Sequence, residues 1–359
     1  GPLRSQISER LRLLELEPDS RFSARCRIFP VAPRSLRPLV GLTLRMAQPS
    51  PTLPYLSSLA TYLDRERPDA LYAATPDMNI EASLAARMAG ASVRLILSEH
   101  NTLVRGHPIT RGWQRRFLPS VLRECYAKAA AIVAVSKGVA DDITHRTGFP
   151  REQITVIYNP VVGPDLLRRA QEPVDHPWFQ PGNPPVMLGA GRLGKAKDFP
   201  TLIRAFAIVR RRMPARLVIL GEGKKPKKTA KRQAELTALA TRLNVADDVA
   251  LLGFQSNPLA YMARSALFVL SSLYEGLGNV LIEALACGCP VVSTNCPSGP
   301  AEILENGKFG PLVPVNDPAA LAAAIISVLQ DPPNPERLRE RAGLFSIDRA
   351  VDRYESLLL

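Results

Sequence analysis

One stretch of the chain, Tyr274–Val292, combines two carboxylates with a glycine-bearing loop and an apolar helical segment. Glu275 comes directly before the loop, and Glu283 lies within the predicted helix. The glycines of the loop let the backbone approach a ligand closely, and we predict that Asn279 caps the helix. A helix N-terminus carries unpaired N–H groups and about half a positive charge, so this pattern favours binding of a phosphate or diphosphate.

The spacing of the two carboxylates gives a second indication. Eight residues at about 1.5 Å of helical rise each predict a separation on the order of 12 Å between Glu275 and Glu283. This distance suits a bent nucleotide sugar, with the helix end at the diphosphate and the carboxylates on hexose and ribose hydroxyls. An amphipathic helix with two solvated glutamates is the alternative that spacing alone leaves open.

Composition indicates a globular protein large enough for two domains. The 359 residues are 46% hydrophobic and contain no apolar run near the ~20 residues that span a bilayer, so we expect a cytoplasmic protein. The net charge of +13 predicts anionic partners, either phosphorylated ligands or an anionic membrane surface. No nucleic-acid-binding motif accompanies that charge, and the five cysteines lack the partners of a zinc site, so neither nucleic acid nor metal is expected.

Apolar strand patterns alternate with helical patterns along most of the chain, which predicts parallel sheets covered by helices on both faces. The fold class is therefore α/β, with two doubly wound, Rossmann-like domains. We predict an N-terminal domain over 1–165, a proline-rich linker over 166–185, a C-terminal domain over 186–335 and further helix over 336–359. The predicted strands are Arg25–Val31, Ala70–Ala74, Val93–Leu97, Ile132–Val135, Ile154–Ile157, Val186–Gly189, Leu217–Leu220, Val249–Leu252, Leu267–Leu270, Pro290–Thr294 and Leu312–Val315.

Polar residues that directly follow these strands are candidates for the site, because ligands of such sheets bind at the carboxyl ends of the strands. His100 and Asn101 follow one strand of the first half, where the histidine could orient a sugar hydroxyl or simply cap the strand. Arg192 and Lys197 follow the first strand of the second half, where two cations could neutralise a diphosphate.

The segment Gly189–Gly194 formally matches the dinucleotide fingerprint G-x-G-x-x-G, but we reject that interpretation. The following helix is predicted to open only at Pro200, and no acidic residue stands about 20 residues further on. The chain also contains no Asp-x-Asp, the usual way to hold a divalent cation on a nucleotide diphosphate. Lysine, arginine and the helix dipole are therefore expected to replace a metal.

The stretch Pro33–Pro54 interleaves arginines with leucines. Basic and apolar residues together suggest a surface that meets the membrane interface. A loop and helix that pack on the core, with solvated arginines, is the alternative.

Two sequence frames resemble glycosyltransferase family 4. The frame Ser-Leu-Tyr-Glu-Gly-Leu-Gly-Asn-Val-Leu-Ile-Glu-Ala, which holds Glu275 and Glu283, resembles the family's paired-glutamate motif. The frame Gly-Arg-Leu followed by Lys-Asp-Phe-Pro-Thr-Leu-Ile-Arg-Ala-Phe, which holds Arg192 and Lys197, is similar to its donor-phosphate segment. The resemblance covers the chain from about Arg25 onward and implies the GT-B fold, two Rossmann-like domains facing across a cleft, with a terminal helix that crosses back.

The resemblance implies a retaining, metal-independent enzyme without a cofactor. It would move a hexose or N-acetylhexosamine from a nucleotide sugar, with UDP as the expected nucleotide, to a glycan or glycolipid in lipopolysaccharide or exopolysaccharide synthesis. The enzyme would act in the cytoplasm or peripherally at the inner membrane face. The implied catalytic residues are His100, Glu275, Arg192 and Lys197; the acceptor side has His100 and Asn101; the donor-binding residues are Arg192, Lys197, Gly253, Phe254, Asn257, Glu275, Gly276, Leu277, Gly278, Asn279, Val280 and Glu283.

The chain departs from the family pattern at its beginning. Compared with the family, it starts about one strand–helix–strand unit late, without the first strand and the glycine-rich loop. Two alternatives therefore stay open beside the transferase: a non-catalytic fragment that binds nucleotide sugars, and a nucleotide-sugar epimerase of the GT-B fold.

Overall fold

The computed structural model describes residues 8–18, 53–90, 92–103, 114–223 and 225–358. The predicted strand Arg25–Val31 lies outside these ranges, as does the Pro33–Pro54 stretch up to residue 52. The described chain divides into two compact units. One contains the described residues up to Ser98 with 114–132 and 147–149, and the other contains 99–103, 133–146 and 150–358.

A first sheet has four strands in the order β1-β2-β3-β4. Strands β1 and β2 run parallel, with Ala70 opposite Arg94 and Ala74 opposite Ser98. The two helices that flank β1 pack on each other through buried apolar residues. The elements are α1 (Leu56–Glu66), β1 (Ala70–Ala74), α2 (Pro76–Ala89), β2 (Arg94–Glu99), α3 (Gln114–Tyr126), β3 (Ala131–Ala134), α4 (Lys137–Thr147), β4 (Ile154–Val156) and α5 (Pro164–Gln171).

A second sheet has six strands in the order β10-β9-β8-β5-β6-β7, with every neighbouring pair parallel. Its elements are β5 (Val186–Ala190), α6 (Phe199–Arg210), β6 (Arg216–Leu220), α7 (Pro226–Arg242), β7 (Val249–Gly253), α8 (Pro258–Arg264), β8 (Leu267–Leu270), α9 (Asn279–Ala286), β9 (Val291–Thr294), α10 (Pro300–Ile303), β10 (Leu312–Val313), α11 (Pro318–Gln330), α12 (Pro335–Ala342) and α13 (Ile347–Leu358).

The middle of the second sheet is buried on both faces. Strands β5 and β8 are buried along their whole length, which explains why Val186–Ala190 and Leu267–Leu270 contain no charged residue. An apolar cluster that includes Phe206, Val269 and Ile325 joins α6 and α11 to this sheet. The core thereby fixes the carboxyl ends of the central strands, where the candidate residues follow.

The alternation of strands and helices confirms the predicted α/β class, and β1 and β8 have the predicted bounds. The stretch predicted to be linker is not irregular throughout, because α5 extends to Gln171 and a 3₁₀ turn covers Pro177–Phe179. Pro177, at the start of the 3₁₀ turn, accounts for part of the composition that suggested a linker. The predicted domain boundaries stay a prediction.

The last two helices fall within the region predicted to hold further helix. Asn334 caps α12, since its side-chain oxygen accepts hydrogen bonds from the N–H groups of Glu336 and Arg337. In the ranges that the structure describes, every helix falls short of the length and apolar character needed to cross a membrane.

Candidate functional site

An ion pair between Lys197 and Glu275 lies at the centre of the candidate site. Lys197 ends a 3₁₀ turn after β5, and its Nζ lies 2.7 Å from Oε1 of Glu275, which follows β8. The two side chains are only 16% and 14% exposed. The structure thus brings together the two charged groups that the sequence placed after different strands.

Two consecutive serines hold this pair. The hydroxyl of Ser272 donates to Oε1 of Glu275 at 2.6 Å, and the hydroxyl of Ser271 donates to the backbone carbonyl of Lys197 at 2.7 Å. The backbone N–H of Leu273 donates to the carbonyl of Ala196 at 2.7 Å. The turn that carries Lys197 and the loop that carries Glu275 are therefore also joined by two hydrogen bonds to backbone carbonyls, in addition to the ion pair.

Gly276 lies against the backbone that follows β2. A Cβ atom at this position would overlap the carbonyl oxygen of His100 and come within 3.2 Å of the Cα of Asn101. The carbonyl of Gly276 accepts a hydrogen bond of 2.7 Å from the buried hydroxyl of Ser136. His100 and Asn101, predicted on the acceptor side, thus lie next to the loop that carries Glu275.

The prediction that Asn279 caps α9 is wrong. Gly278 is the capping residue, with a φ of 98°, and Asn279 is the first residue of the helix. The Oδ1 atom of Asn279 instead accepts a hydrogen bond of 2.9 Å from Nδ2 of Asn159. Since no side chain caps α9, its N-terminal N–H groups are not satisfied by a capping hydrogen bond, which keeps this end suited to an anion.

A second helix N-terminus nearby is already filled by a carboxylate. Glu302 accepts hydrogen bonds of 2.8 Å from the backbone N–H groups of Lys137 and Gly138, the first residues of α4. The Tyr158 hydroxyl also contacts Glu302 at 3.3 Å. Burial, followed by the charge of Glu302, raises the pKa of Tyr158 above its usual value, so this hydroxyl stays protonated and donates.

Glu283 lies within α9, as predicted, on a helix that is otherwise largely buried. Burial raises the pKa of Glu283 above its usual value of 4.5, and the positive charges of Arg169 and Lys197 act in the opposite direction. The charge of Lys197 thus favours the ionised form of Glu283 while the lysine pairs directly with Glu275. An ionised carboxylate is a strong acceptor for hydroxyl groups.

The raised pKa of Glu283 predicts a pH dependence of stability. The folded state favours the protonated carboxyl, so Glu283 weakens the fold progressively as pH rises above the usual value of 4.5. We expect Glu283→Gln to raise the free energy of unfolding at pH 7 and to leave it nearly unchanged at pH 4, as measured by urea denaturation at both pH values. The matched control is Glu340→Gln on the exposed face of α12, and a destabilised Glu283→Gln at pH 7 would contradict the assignment.

The loop after β7 places Phe254 in solvent, with 69% of its surface exposed. Gly253 precedes it with a φ of 68°, a conformation that favours glycine. The Nδ2 atom of Asn257 donates to the carbonyl of Arg169 at 2.8 Å and to Glu172 at 2.7 Å, so this amide fastens α5 to the loop. The predicted donor contacts of these residues stay a prediction.

Arg192 is exposed in the loop after β5, whereas its neighbour Leu193 is buried. The Leu193 N–H donates to the carbonyl of Glu222 at 2.9 Å, which holds the loop against the end of β6. Helix α6 begins at Phe199, beyond the glycines of the loop, so a dinucleotide would not meet the helix end that its fingerprint requires. Because Arg192 itself is exposed, its guanidinium is accessible to a ligand.

The pKa shifts of two further groups near the site favour their uncharged forms. Burial lowers the pKa of His100 below its usual value, which favours the uncharged imidazole. Burial, followed by the charge of Glu275, raises the pKa of the Cys296 thiol to about 12. Within the described ranges, no group of three or more His, Cys, Asp and Glu side chains is arranged to hold a metal ion.

Sequence reasoning missed Ser271, Ser272 and Arg169 as parts of this arrangement. The two serines directly follow β8, so the rule that singled out polar residues after strands could have found them. No comparable signal exists for Arg169, because it follows no predicted strand and lies in the range 166–185 that was predicted to be a linker.

Comparisons with known proteins agree with this reading of the fold. Residues 15–162 match the family model described as "Glycosyltransferase Family 4", and residues 171–344 match the one described as "Glycosyl transferases group 1". A crystal structure of HepE from Anabaena in complex with UDP superposes with a TM-score of 0.69 at 20% identity, covering 96% of this chain and 97% of that one. The two parallel-sheet α/β domains thus define the GT-B class of glycosyltransferase folds.

The chain belongs to glycosyltransferase family 4. One relative, the N-acetylgalactosamine-N,N'-diacetylbacillosaminyl-diphospho-undecaprenol 4-alpha-N-acetylgalactosaminyltransferase of Campylobacter jejuni, is 34% identical over 69% of this chain and 64% of its own length. The lipopolysaccharide core biosynthesis glycosyltransferase LpsE of Rhizobium meliloti is 36% identical over 50% of this chain and 51% of its own length. The chain therefore spans between about half and two thirds of these curated relatives.

Proposed function

We propose that the chain is a retaining glycosyltransferase that moves a hexose or N-acetylhexosamine from a UDP-sugar to a glycan or glycolipid of the bacterial cell surface. The observation that carries this proposal is the Lys197–Glu275 ion pair, whose glutamate side chain lies against Gly278 at the uncapped start of α9. A cation and a helix N-terminus suit a phosphate, and a carboxylate suits hydroxyl groups, so this combination supports a sugar diphosphate as the ligand.

Relatives support the nature of the substrates. The structural neighbour HepE has been crystallised with UDP, which favours a uridine nucleotide here. The Campylobacter relative is named for the transfer of N-acetylgalactosamine to a diphospho-undecaprenol glycan, and LpsE is named for lipopolysaccharide core synthesis. We propose a lipid-linked or polysaccharide acceptor on this basis.

In the proposed mechanism the protein contributes positioning and electrostatics. Arg192, Lys197 and the start of α9 would neutralise the diphosphate as the glycosidic bond breaks, without a divalent cation. Glu275 and Glu283 would accept hydrogen bonds from sugar and ribose hydroxyls. The acceptor hydroxyl would enter on the face from which the diphosphate leaves and pass its proton to the departing phosphate oxygen, with His100 and Asn101 nearby to orient the acceptor.

We further propose a peripheral position at the inner membrane face. The net charge of +13 favours an anionic surface. Exposed lysines at the start of α7, Lys225, Lys227 and Lys228, contribute to this charge. A lipid-linked acceptor would be reached at such a surface.

Calorimetric titration tests the donor site. We expect the wild-type chain to bind UDP and at least one of UDP-glucose, UDP-N-acetylglucosamine and UDP-N-acetylgalactosamine at micromolar concentration, equally well with EDTA. Glu283→Ala and Arg192→Ala should each weaken binding by about tenfold or more, because each removes a charged hydrogen-bonding partner. The matched control is Arg212→Ala, an exposed arginine just beyond α6, which should bind like wild type.

The same titration contains the outcomes that would contradict the proposal. No binding of any uridine nucleotide by the wild type would exclude the donor site, and binding abolished by EDTA would contradict metal independence. Binding without release of UDP in the presence of bacterial membranes would favour a non-catalytic nucleotide-sugar-binding protein.

A further inference from the structure

We propose that Ser272 is a positioning residue that holds Glu275 in place while Lys197 is drawn to the donor diphosphate. This inference rests on the proposed function and assigns a role to a side chain outside the paired-glutamate motif. In it, the serine fixes one oxygen of the carboxylate and so presents the other to the transferred sugar.

The first observation concerns how the two oxygens of Glu275 are used. Oε1 accepts from two donors, the Ser272 hydroxyl at 2.6 Å and the Lys197 ammonium at 2.7 Å. Oε2 has no hydrogen-bond or ion-pair partner among the described residues. A carboxylate with one saturated oxygen has a defined orientation, and its second oxygen keeps its full capacity to accept hydroxyl groups.

The second observation is that Ser272 itself is rigidly held. Its side chain is completely buried, and its backbone carbonyl accepts a hydrogen bond of 2.6 Å from the hydroxyl of Thr294 on β9. Thr294 is also completely buried. The serine therefore belongs to the core of the sheet and not to the exposed part of the loop, so it can serve as a fixed point for the carboxylate.

The third observation is the contrast between the two donors on Oε1. Lys197 has a long, flexible side chain whose charge a diphosphate would attract, whereas Ser272 has a short side chain with no freedom to leave. If the lysine turned toward a phosphate, the serine hydroxyl would still hold Glu275. Without that hydroxyl the carboxylate would lose its only remaining donor on Oε1 and would follow the lysine or rotate.

If Ser272 has this role, its removal should weaken the binding of the sugar part of the donor and leave the binding of the nucleotide part unchanged. We expect Ser272→Ala to weaken binding of the UDP-sugar that the wild type prefers by about tenfold, the size expected for loss of a hydrogen bond to a charged group. Binding of UDP alone should stay within twofold of wild type. The measurement is calorimetric titration of each variant with UDP and with UDP-glucose, UDP-N-acetylglucosamine and UDP-N-acetylgalactosamine.

Two further variants separate positioning from a general packing defect. Ser293→Ala is the matched control, because this serine is equally buried but donates to the backbone carbonyl of Thr294 at 2.9 Å, and it should leave the ratio of UDP-sugar to UDP affinity unchanged. In a double-mutant cycle, Ser272→Ala added to Glu275→Ala should have no further effect, because the serine acts only through the carboxylate.

The outcomes distinguish this inference from the proposed function. Equal weakening of UDP and UDP-sugar binding by Ser272→Ala, an unchanged affinity ratio, or additive effects in the double mutant would each overturn the positioning role while the donor site stands. Failure of the wild type to bind any uridine nucleotide would overturn the proposed function itself, and this inference with it.

Discussion

Replacement of Lys197 by methionine is expected to lower the rate of sugar transfer by at least about a hundredfold, the usual cost of removing one preorganised group that stabilises transition-state charge. Methionine keeps the length of the side chain but has no charge to place on the leaving diphosphate. The substitution also removes the ion pair at 2.7 Å and leaves Glu275 with the Ser272 hydroxyl as its remaining partner on Oε1. The measurement is release of UDP from the preferred UDP-sugar in the presence of bacterial membranes as the source of acceptor.

Lys195 provides the matched control for this experiment. It lies in the same 3₁₀ turn but is exposed, so Lys195→Met changes the net charge equally without touching Glu275. We expect this variant to keep its activity within about twofold of wild type, as is usual for exposed charges away from a site. Comparable losses in both variants would indicate a general effect of charge, and near-normal activity of Lys197→Met would refute a catalytic role of the lysine.

Gly276→Ala is expected to destabilise the fold by about 3 kcal/mol and to abolish donor binding, because its Cβ has no free space. The added atom would overlap the carbonyl oxygen of His100. Because the carbonyl belongs to the backbone and the position of a Cβ is fixed by its own backbone, no rotamer change can relieve the clash. Any shift of the loop also disturbs the hydrogen bond that the Ser136 hydroxyl makes to the carbonyl of residue 276. Urea denaturation gives the stability, and titration with UDP gives the binding.

Gly343 is the control for a glycine-to-alanine change. It lies at the end of α12 with a φ of −56°, and a Cβ there meets nothing within 4 Å. Gly343→Ala should therefore be neutral or slightly stabilising, through the lower entropy of the unfolded chain. If Gly276→Ala were as stable as Gly343→Ala and still bound UDP, the close approach of the loop to His100 would be needed for neither stability nor donor binding.

The fold was largely predictable because its strands are short apolar runs that alternate with helices. Strand β1 has the predicted bounds because Asp69 and Thr75 flank its apolar run, and Ser271 ends the apolar run of β8. Helix α5 was not predicted, since most of its residues were assigned to the linker over 166–185. The prolines that suggested the linker follow the helix, whereas Pro164 opens it at a position that suits proline.

The candidate site was predictable only in part. Position after a strand singles out Lys197, and position before a glycine-bearing loop and a helix singles out Glu275, but the pairing of the two is a tertiary fact that local patterns do not contain. The capping prediction failed for the same reason. Asn279 is a good capping residue by type, yet Gly278 adopts the left-handed conformation at the cap and Asn159 binds the asparagine side chain.

The ion pair of Lys197 and Glu275 means that the lysine has a counter-ion within the protein itself. Free phosphate could reach the lysine only by separating two largely buried charges, and it would offer nothing to the carboxylate left behind. A sugar diphosphate brings both a new anion for the lysine and hydroxyl groups for the carboxylate. We therefore expect the cluster to act as a filter that discriminates sugar nucleotides from the simple phosphates around them before any chemistry begins.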